Sequence, residues 1–366
     1  MNRYLIVFIV SIFVCIVACK EDLIEPEPLL FERVELFNLA QVPFQNLSQY
    51  GFYKGEMAEL NPHRALLPYE LPTGLFSNYA IKQRLIYFPL TGKAEYIDDE
   101  QLPLNFPEGT IIVKTFYYQN DFRDEALGKN IIETRLLVRR NNDWEAYDYV
   151  WNEEQTEATK QIAGKQVTVD WIHYDGSARS TLYAIPNENE CKGCHELGDE
   201  MVLIGPKARY LNSKIDFGLG LENQFEKWME YDLIDGVPAI NEIPSVAAFD
   251  DVTASIESRA RAYLDINCAH CHNADGPANN TGMFLNYLQT DSIKLGVCKP
   301  PTAAGQGSGG LAHSIEPGLP EESIMIYRLN SLELDVSMPE LGRSVIHEEG
   351  LALLTDWIAQ LEGDCN

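Results

Sequence analysis

The chain opens on an apolar run, Tyr4 to Ala18, behind a single basic residue, Arg3. That run is short for a membrane-spanning helix, which needs about 20 residues, and it fits the apolar core of a secretory signal. From 30 to 187 the pattern shortens to a period of two. Val167, Val169 and Trp171 alternate with Thr168 and Asp170, and Gln83 to Phe88, Thr110 to Tyr118, Ile131 to Arg139 and Trp144 to Trp151 are rich in β-branched and aromatic residues. Pro107-Glu108-Gly109, Asn141-Asn142-Asp143 and Asp175-Gly176 separate these runs as turns, while Pro62, Pro68 and Pro72 interrupt any long helix between Leu30 and Tyr79. Past Asn187 the period lengthens. Leu221, Phe225, Trp228 and Leu233 lie close to one helical stripe; Ile256, Ala260, Tyr263 and Leu264 form a second, and Leu351, Leu354, Trp357, Ile358 and Leu361 a third. The pattern predicts an α+β chain, with a β-rich domain over 30–187, sandwich-like or barrel-like, followed by a mainly α-helical region.

With 366 residues, 45% of them hydrophobic, the chain has ample material for a packed core and a length that points to two or three domains. Its formal net charge of −27 argues against a nucleic-acid partner, because so acidic a surface repels phosphate unless a basic patch overrides it. The densest basic group, Arg135, Arg139 and Arg140, fits the solvated face of a strand. The glycine-rich stretch Gly305 to Gly310 lacks the Gly-Lys-Ser/Thr ending of a phosphate cradle and reads as a loop.

The end of the leading apolar run, Ile16-Val17-Ala18-Cys19, resembles a bacterial lipobox, and no A-x-A cleavage site competes with it. This divides the N-terminus into a signal over 1–18 and a tether over 19–29, with Cys19 as the lipidated first residue of the mature chain. Lys20-Glu21-Asp22 resembles the tag that sends some bacterial lipoproteins to the outer cell surface. The expected location is the cell envelope, with the membrane reached through the lipid.

Eight cysteines are present. Cys15 leaves with the signal, Cys19 takes lipid, and four lie in two CxxCH boxes, CKGCH (Cys191, Cys194, His195) and CAHCH (Cys268, Cys271, His272). Cys298 and Cys365 remain, and in an oxidising compartment they are candidates for a disulfide. A c-type haem needs two thioethers from cysteine and a histidine on iron. CxxCH supplies these locally, with two cysteines on one side of a helical turn and the histidine directly after. The boxes therefore predict two covalently bound haem c groups, with His195 and His272 as iron ligands. A zinc site from the CxxC pairs is the competing reading. The second box starts 77 positions after the first, against about 15–20 in common zinc ribbons, and zinc does not explain a histidine after each pair. Neither box follows a βαβ pattern, as a thioredoxin-like redox site would.

Sixty-six residues after His272 comes Met338-Pro339-Glu340-Leu341-Gly342, ahead of the last apolar stripe. With the stripe before the second box, this resembles a class I cytochrome c over 246–366, in which the terminal helices cross and a methionine ligates iron; Met338 is then the sixth ligand, a soft thioether that raises the potential. The first segment, 188–245, has no such methionine. Met201, Met229, His173 and His63 are its candidate ligands, and an iron open on one side is the alternative.

TGLFS (from Thr73), IPNENECKGCH, IGPKARYLN, RARAYLDINCAHCH, VCKPPTAAGQGSGG and MPELGRS together resemble a widespread bacterial family of exported di-haem c-type cytochromes. The resemblance implies two haems and electron transfer outside the cytoplasm, with no substrate or partner named. The leading expectation is an electron carrier, not an enzyme, docking redox proteins through a basic surface on the partner. The alternatives are a di-haem peroxidase-like enzyme working at the first haem and a haem-bearing subunit of an exported dehydrogenase.

Overall fold

The computed structural model describes residues 30–99, 101–197, 200–302 and 304–365, without the side chains of 188, 189, 191, 192 and 196. The expected signal, Cys19 and the tether lie outside them. Among the described residues no helix is long and apolar enough to cross a membrane.

Nine strands precede the first box: β1 (Leu66–Pro68), β2 (Ile81–Tyr87), β3 (Ala94–Glu95), β4 (Ile111–Gln119), β5 (Lys129–Arg140), β6 (Asp143–Trp151), β7 (Ala158–Gln161), β8 (Lys165–Ile172) and β9 (Ala178–Ile185). Six form one antiparallel sheet in the order β1-β2-β4-β5-β6-β7, and β8 and β9 pair as a separate ribbon. Asn141 and Asn142, both at positive φ, make the tight β5–β6 turn. Alternation sorts the side chains by face. Leu85, Tyr87, Val113, Leu136, Tyr149 and Trp151 bury one face under the segment that carries Tyr50 and Phe52. The opposite face is covered in two parts. At one end Ile86, Phe88, Ile112 and Trp144 meet Leu203, Phe217, Phe225 and Trp228; at the other, Phe116, Tyr118 and Val150 meet Trp171 and Tyr183 of the ribbon. A bulge in β5 pairs Tyr117 with Ile131 but Phe116 with Glu133, so that Ile131 and Glu133 fall on different faces.

Two expectations are corrected here. The β-rich part is an open six-stranded sheet with an added ribbon, neither a sandwich nor a barrel. The region past Asn187 is not mainly α-helical: the chain is 23% helical and 26% strand. Its α-helices are α1 (Glu188–His195), α2 (Ala208–Leu211), α3 (Gln224–Glu230), α4 (Ile256–Asn267), α5 (Ser292–Leu295), α6 (Ile324–Leu329) and α7 (Glu348–Ala359), most of them one or two turns. Among them run short strands, β10 (Glu196–Leu197) with β11 (Glu200–Met201), β12 (Lys214–Asp216) with β13 (Leu221–Asn223), and β14 (Ile234–Asp235), which pairs in parallel with β3. The reason is composition between the apolar stripes. Gly276, Pro277, Gly282, Pro300, Pro301, the glycines of 305–310, Pro317 and Pro320 interrupt helical hydrogen bonding, so the chain there turns. The stripe through Leu221 also breaks, because Asn223 caps α3 and leaves Leu221 in a strand, 69% exposed.

The two longest helices among the described residues, α4 and α7, pack on each other through Ala260, Tyr263, Leu264, Leu354, Trp357 and Ile358. Ser255 caps α4, its Oγ accepting from Ser258 N. Gly350 allows the close crossing, since a Cβ there would lie 2.4 Å from the Tyr263 ring.

Candidate functional site

The first box occupies α1, and the β10–β11 hairpin turns the chain back over His195. Val202 N donates to the His195 carbonyl at 2.6 Å, and His195 Nδ1 donates to the Val202 carbonyl at 2.8 Å. That contact fixes the ring and leaves Nε2 as the free nitrogen, the arrangement a ligating histidine uses. Burial lowers the His195 pKa to about 4, so the ring is neutral at pH 7. The side chain of Cys191 lies outside the described residues. Cys194 packs among Ile204, Tyr210, Val246, Ala262 and Ile266, and the last two belong to α4, the helix that leads into the second box.

The second box caps α4. Cys268 N donates to the Leu264 carbonyl at 2.9 Å, and His272 N to the Cys268 carbonyl at 2.9 Å, so the box continues as a tight turn. His272 is buried, with Nδ1 3.4 Å from Thr281 Oγ1, and burial lowers its pKa to about 4. Burial also pushes the thiols of Cys268 and Cys271 up to about 12. Thiols held in the neutral form are poor nucleophiles, which argues against thiol–disulfide exchange here.

The long separation between the boxes is closed by packing. A single loop touches both boxes: a Cβ on Gly193 would come 3.1 Å from Leu341, while Met338 shares a cleft with Cys268, Tyr263, Asn267, Arg343 and His347. Beneath them, Arg209 and Tyr210 of α2 bond Asp265 of α4, which also accepts from Tyr287 N at 3.0 Å. This buried group joins the segment after the first box to the helix before the second. Lys207, lowered to about 8 by burial, stands beside it.

The donor set fits haem ligation: two neutral imidazoles with their Nδ1 atoms engaged, neutral thiols and a thioether facing Cys268. The cleft itself is closed to a void of about 20 Å³, room for one water. A macrocycle would therefore have to part the wall carrying Met338 and Pro339, which is loop and is tied to α6 by Met338 N donating to the Arg328 carbonyl at 3.1 Å.

Of the four candidate sixth ligands for the first box, two are engaged elsewhere and a third is exposed. His63 Nδ1 accepts from Ala65 N at 3.1 Å; His173 accepts from the Trp171 indole at 3.3 Å and sits 3.4 Å from Glu349; Met229 is 41% exposed on α3. Met201 stays beside the box, opposite Glu196 in the hairpin, its side chain packed toward the sheet. Sequence reasoning missed His270, which lies inside the second box and within electrostatic reach of His195; its Nδ1 is buried with no hydrogen-bond partner. The signal is a histidine at the second variable position of CAHCH.

The sulfurs of Cys298 and Cys365 are bonded to each other, with Cα atoms 5.1 Å apart. Cys365 also lies near His313 and Glu316, but its sulfur is in the disulfide and the other two bond each other at 2.5 Å, so that group offers no metal site. Comparison with protein families, with curated proteins and with solved structures finds no match to this chain.

Proposed function

We propose that the chain is a di-haem c-type cytochrome of the cell envelope, anchored through Cys19, that moves single electrons. One observation carries the reading: two CxxCH boxes far apart in the chain both pack on α4, each with its histidine neutral and its Nδ1 engaged. Haem at each box supplies reversible one-electron chemistry. The chain's own residues do the rest: His195 and His272 present Nε2, Met338 offers a thioether beside the second box, and the shared packing of Cys194 with α4 keeps the two sites near each other. The reading rests on motif and donor set, not on a cytochrome fold. The net charge of −27 favours a redox partner with a basic docking surface.

The test is a haem count on the protein expressed with its own signal in a host that attaches c-type haem. Intact mass and the pyridine haemochrome spectrum are expected to give two covalent haems per chain, and one after Cys194→Ala with His195→Ala. A chain free of haem overturns the proposal. A second reading, peroxidase-like chemistry at the first box, is favoured by the engagement of His63 and His173 in other contacts and by the exposure of Met229 on α3. Peroxide added to the reduced protein is then expected to reoxidise it rapidly; an unchanged spectrum removes this reading.

A further inference from the structure

The middle of the sheet face that looks toward the first box is charged. Arg84 of β2, Lys114 of β4, Arg135 of β5 and Asp148 of β6 stand opposite one another in register, with Lys82 and Glu133 in the neighbouring row. Apolar clusters close the face on both sides. Three of the cations converge on one ring, with Lys82 Nζ, Lys114 Nζ and Arg135 Cζ 5.8, 4.9 and 4.4 Å from the centroid of Phe116.

The carboxylates do not balance them. Arg84 is paired with Glu70 at 2.8 Å, and Arg135 with Glu133, which is fully buried. Burial and the nearby Glu133 raise the Asp148 pKa well above the usual carboxylate range, which disfavours its charged form. Lys82 and Lys114 have no ion-pair partner among the described residues; Lys82 donates only to the Ala80 carbonyl, and Lys114 has only the Phe116 ring. Arg135 Nε is buried without an acceptor. A ring face offsets part of the cost of a desolvated ammonium and does not compensate several like charges together. Burial and the like charges of Arg84 and Arg135 lower Lys114 to about 7. Burial and the neighbouring cations likewise lower Lys82 well below the usual lysine range. An anion among these groups would satisfy the free donors and favour the charged form of both lysines.

We propose that Lys82, Lys114 and Arg135 form an anion-binding site on the sheet, beside Cys194 and His195, that takes a carboxylate or small oxyanion. Helix α1, which carries the first box, and β11 after it both pack on β6, the strand paired with Arg135 of β5, which places the site against the first box. Two sources offer the ligand: a propionate of a haem held at that box, an arm that rests on the haem reading, or a free anion from solution, an arm that does not.

The experiment uses the full protein as purified, with K82Q and K114Q as separate variants, each checked for fold by circular dichroism and for haem content. Nitrate and acetate are titrated by calorimetry. Saturable binding by the wild type, at least tenfold weaker in either variant, supports the site and assigns it to a free anion. Without such binding, a displacement of the propionate-bending bands in the resonance Raman spectrum of both variants supports the site and assigns it to haem. A wild type without haem ends the haem reading, and the calorimetry alone then decides the site. Folded variants with no change in either measurement overturn the proposal, as does a wild type without haem that binds neither anion.

Discussion

Arg209 and Asp265 meet in the core as a two-pronged ion pair, Nε and Nη2 each 2.8 Å from a carboxylate oxygen, with both residues 2% exposed. Breaking a buried pair strands the remaining charge. Asp265→Ala is therefore expected to cost about 3–5 kcal/mol in urea unfolding, whereas the double change Arg209→Met with Asp265→Leu recovers most of that loss. Equal losses in the two proteins would show that the pair does not act as a unit.

Gly350 in α7 lies against the Tyr263 ring in α4, and Tyr263 cannot swing away freely because its hydroxyl bonds His347 Nδ1 at 2.9 Å. Gly350→Ala forces the helices apart, at an expected cost of about 1–3 kcal/mol by overpacking. Thermal unfolding of the variant alone and with Tyr263→Phe checks this; the second change frees the ring and is expected to recover part of the loss.

His347 has a pKa lowered to about 4, chiefly by burial, with Lys82 adding to the effect and Glu349 opposing it. It stacks on Phe76 with ring centroids 4.2 Å apart. Its proton is disfavoured in the folded state, so between about pH 6.5 and 4 the unfolded chain binds more protons and stability falls as pH falls. From pH 7 to 4.5, His347→Gln is expected to lose on the order of 1–3 kcal/mol less than the wild type in denaturant unfolding. Parallel pH profiles for the two proteins would remove His347 as the source.

The Cys298–Cys365 bond spans 67 residues and ties the segment after the second box to the end of the chain. Closing so long a loop restricts the unfolded chain, so the double change to alanine is expected to cost about 2–4 kcal/mol. Unfolding with and without reductant, in wild type and variant, measures it; reductant should destabilise the wild type alone.

Met338 shares the cleft with Cys268, and on the proposed function it gives its sulfur to the second iron. Met338→Ala is then expected to abolish the weak red absorption band of a sulfur-ligated ferric haem and to make that haem harder to reduce, because thioether ligation favours the reduced iron. A wild type that lacks the band has another ligand there.

The proposal for the boxes comes from the residues themselves, because CxxCH is a pattern of neighbours in the chain and needs no distant partner. Strand runs at period two were legible for a similar reason: each strand of the sheet carries its own alternation. The helical region was misread. Three genuine apolar stripes were extended across intervening segments whose prolines and glycines turn the chain, and an amphipathic stripe marks a helix only as far as its caps. What only tertiary structure decided are the pairings between residues far apart: Cys194 packed on α4, Gly193 against Leu341, Arg209 on Asp265, and three cations around Phe116. No local pattern encodes these. They depend on strand register, on a one-residue bulge that turns Glu133 to the charged face, and on which surfaces close together to exclude water. The arginines at 135, 139 and 140 show the difference. Alone they read as a solvated strand face, yet in register with Lys114, and two residues from Glu133 with which it pairs, Arg135 becomes part of a charged interior.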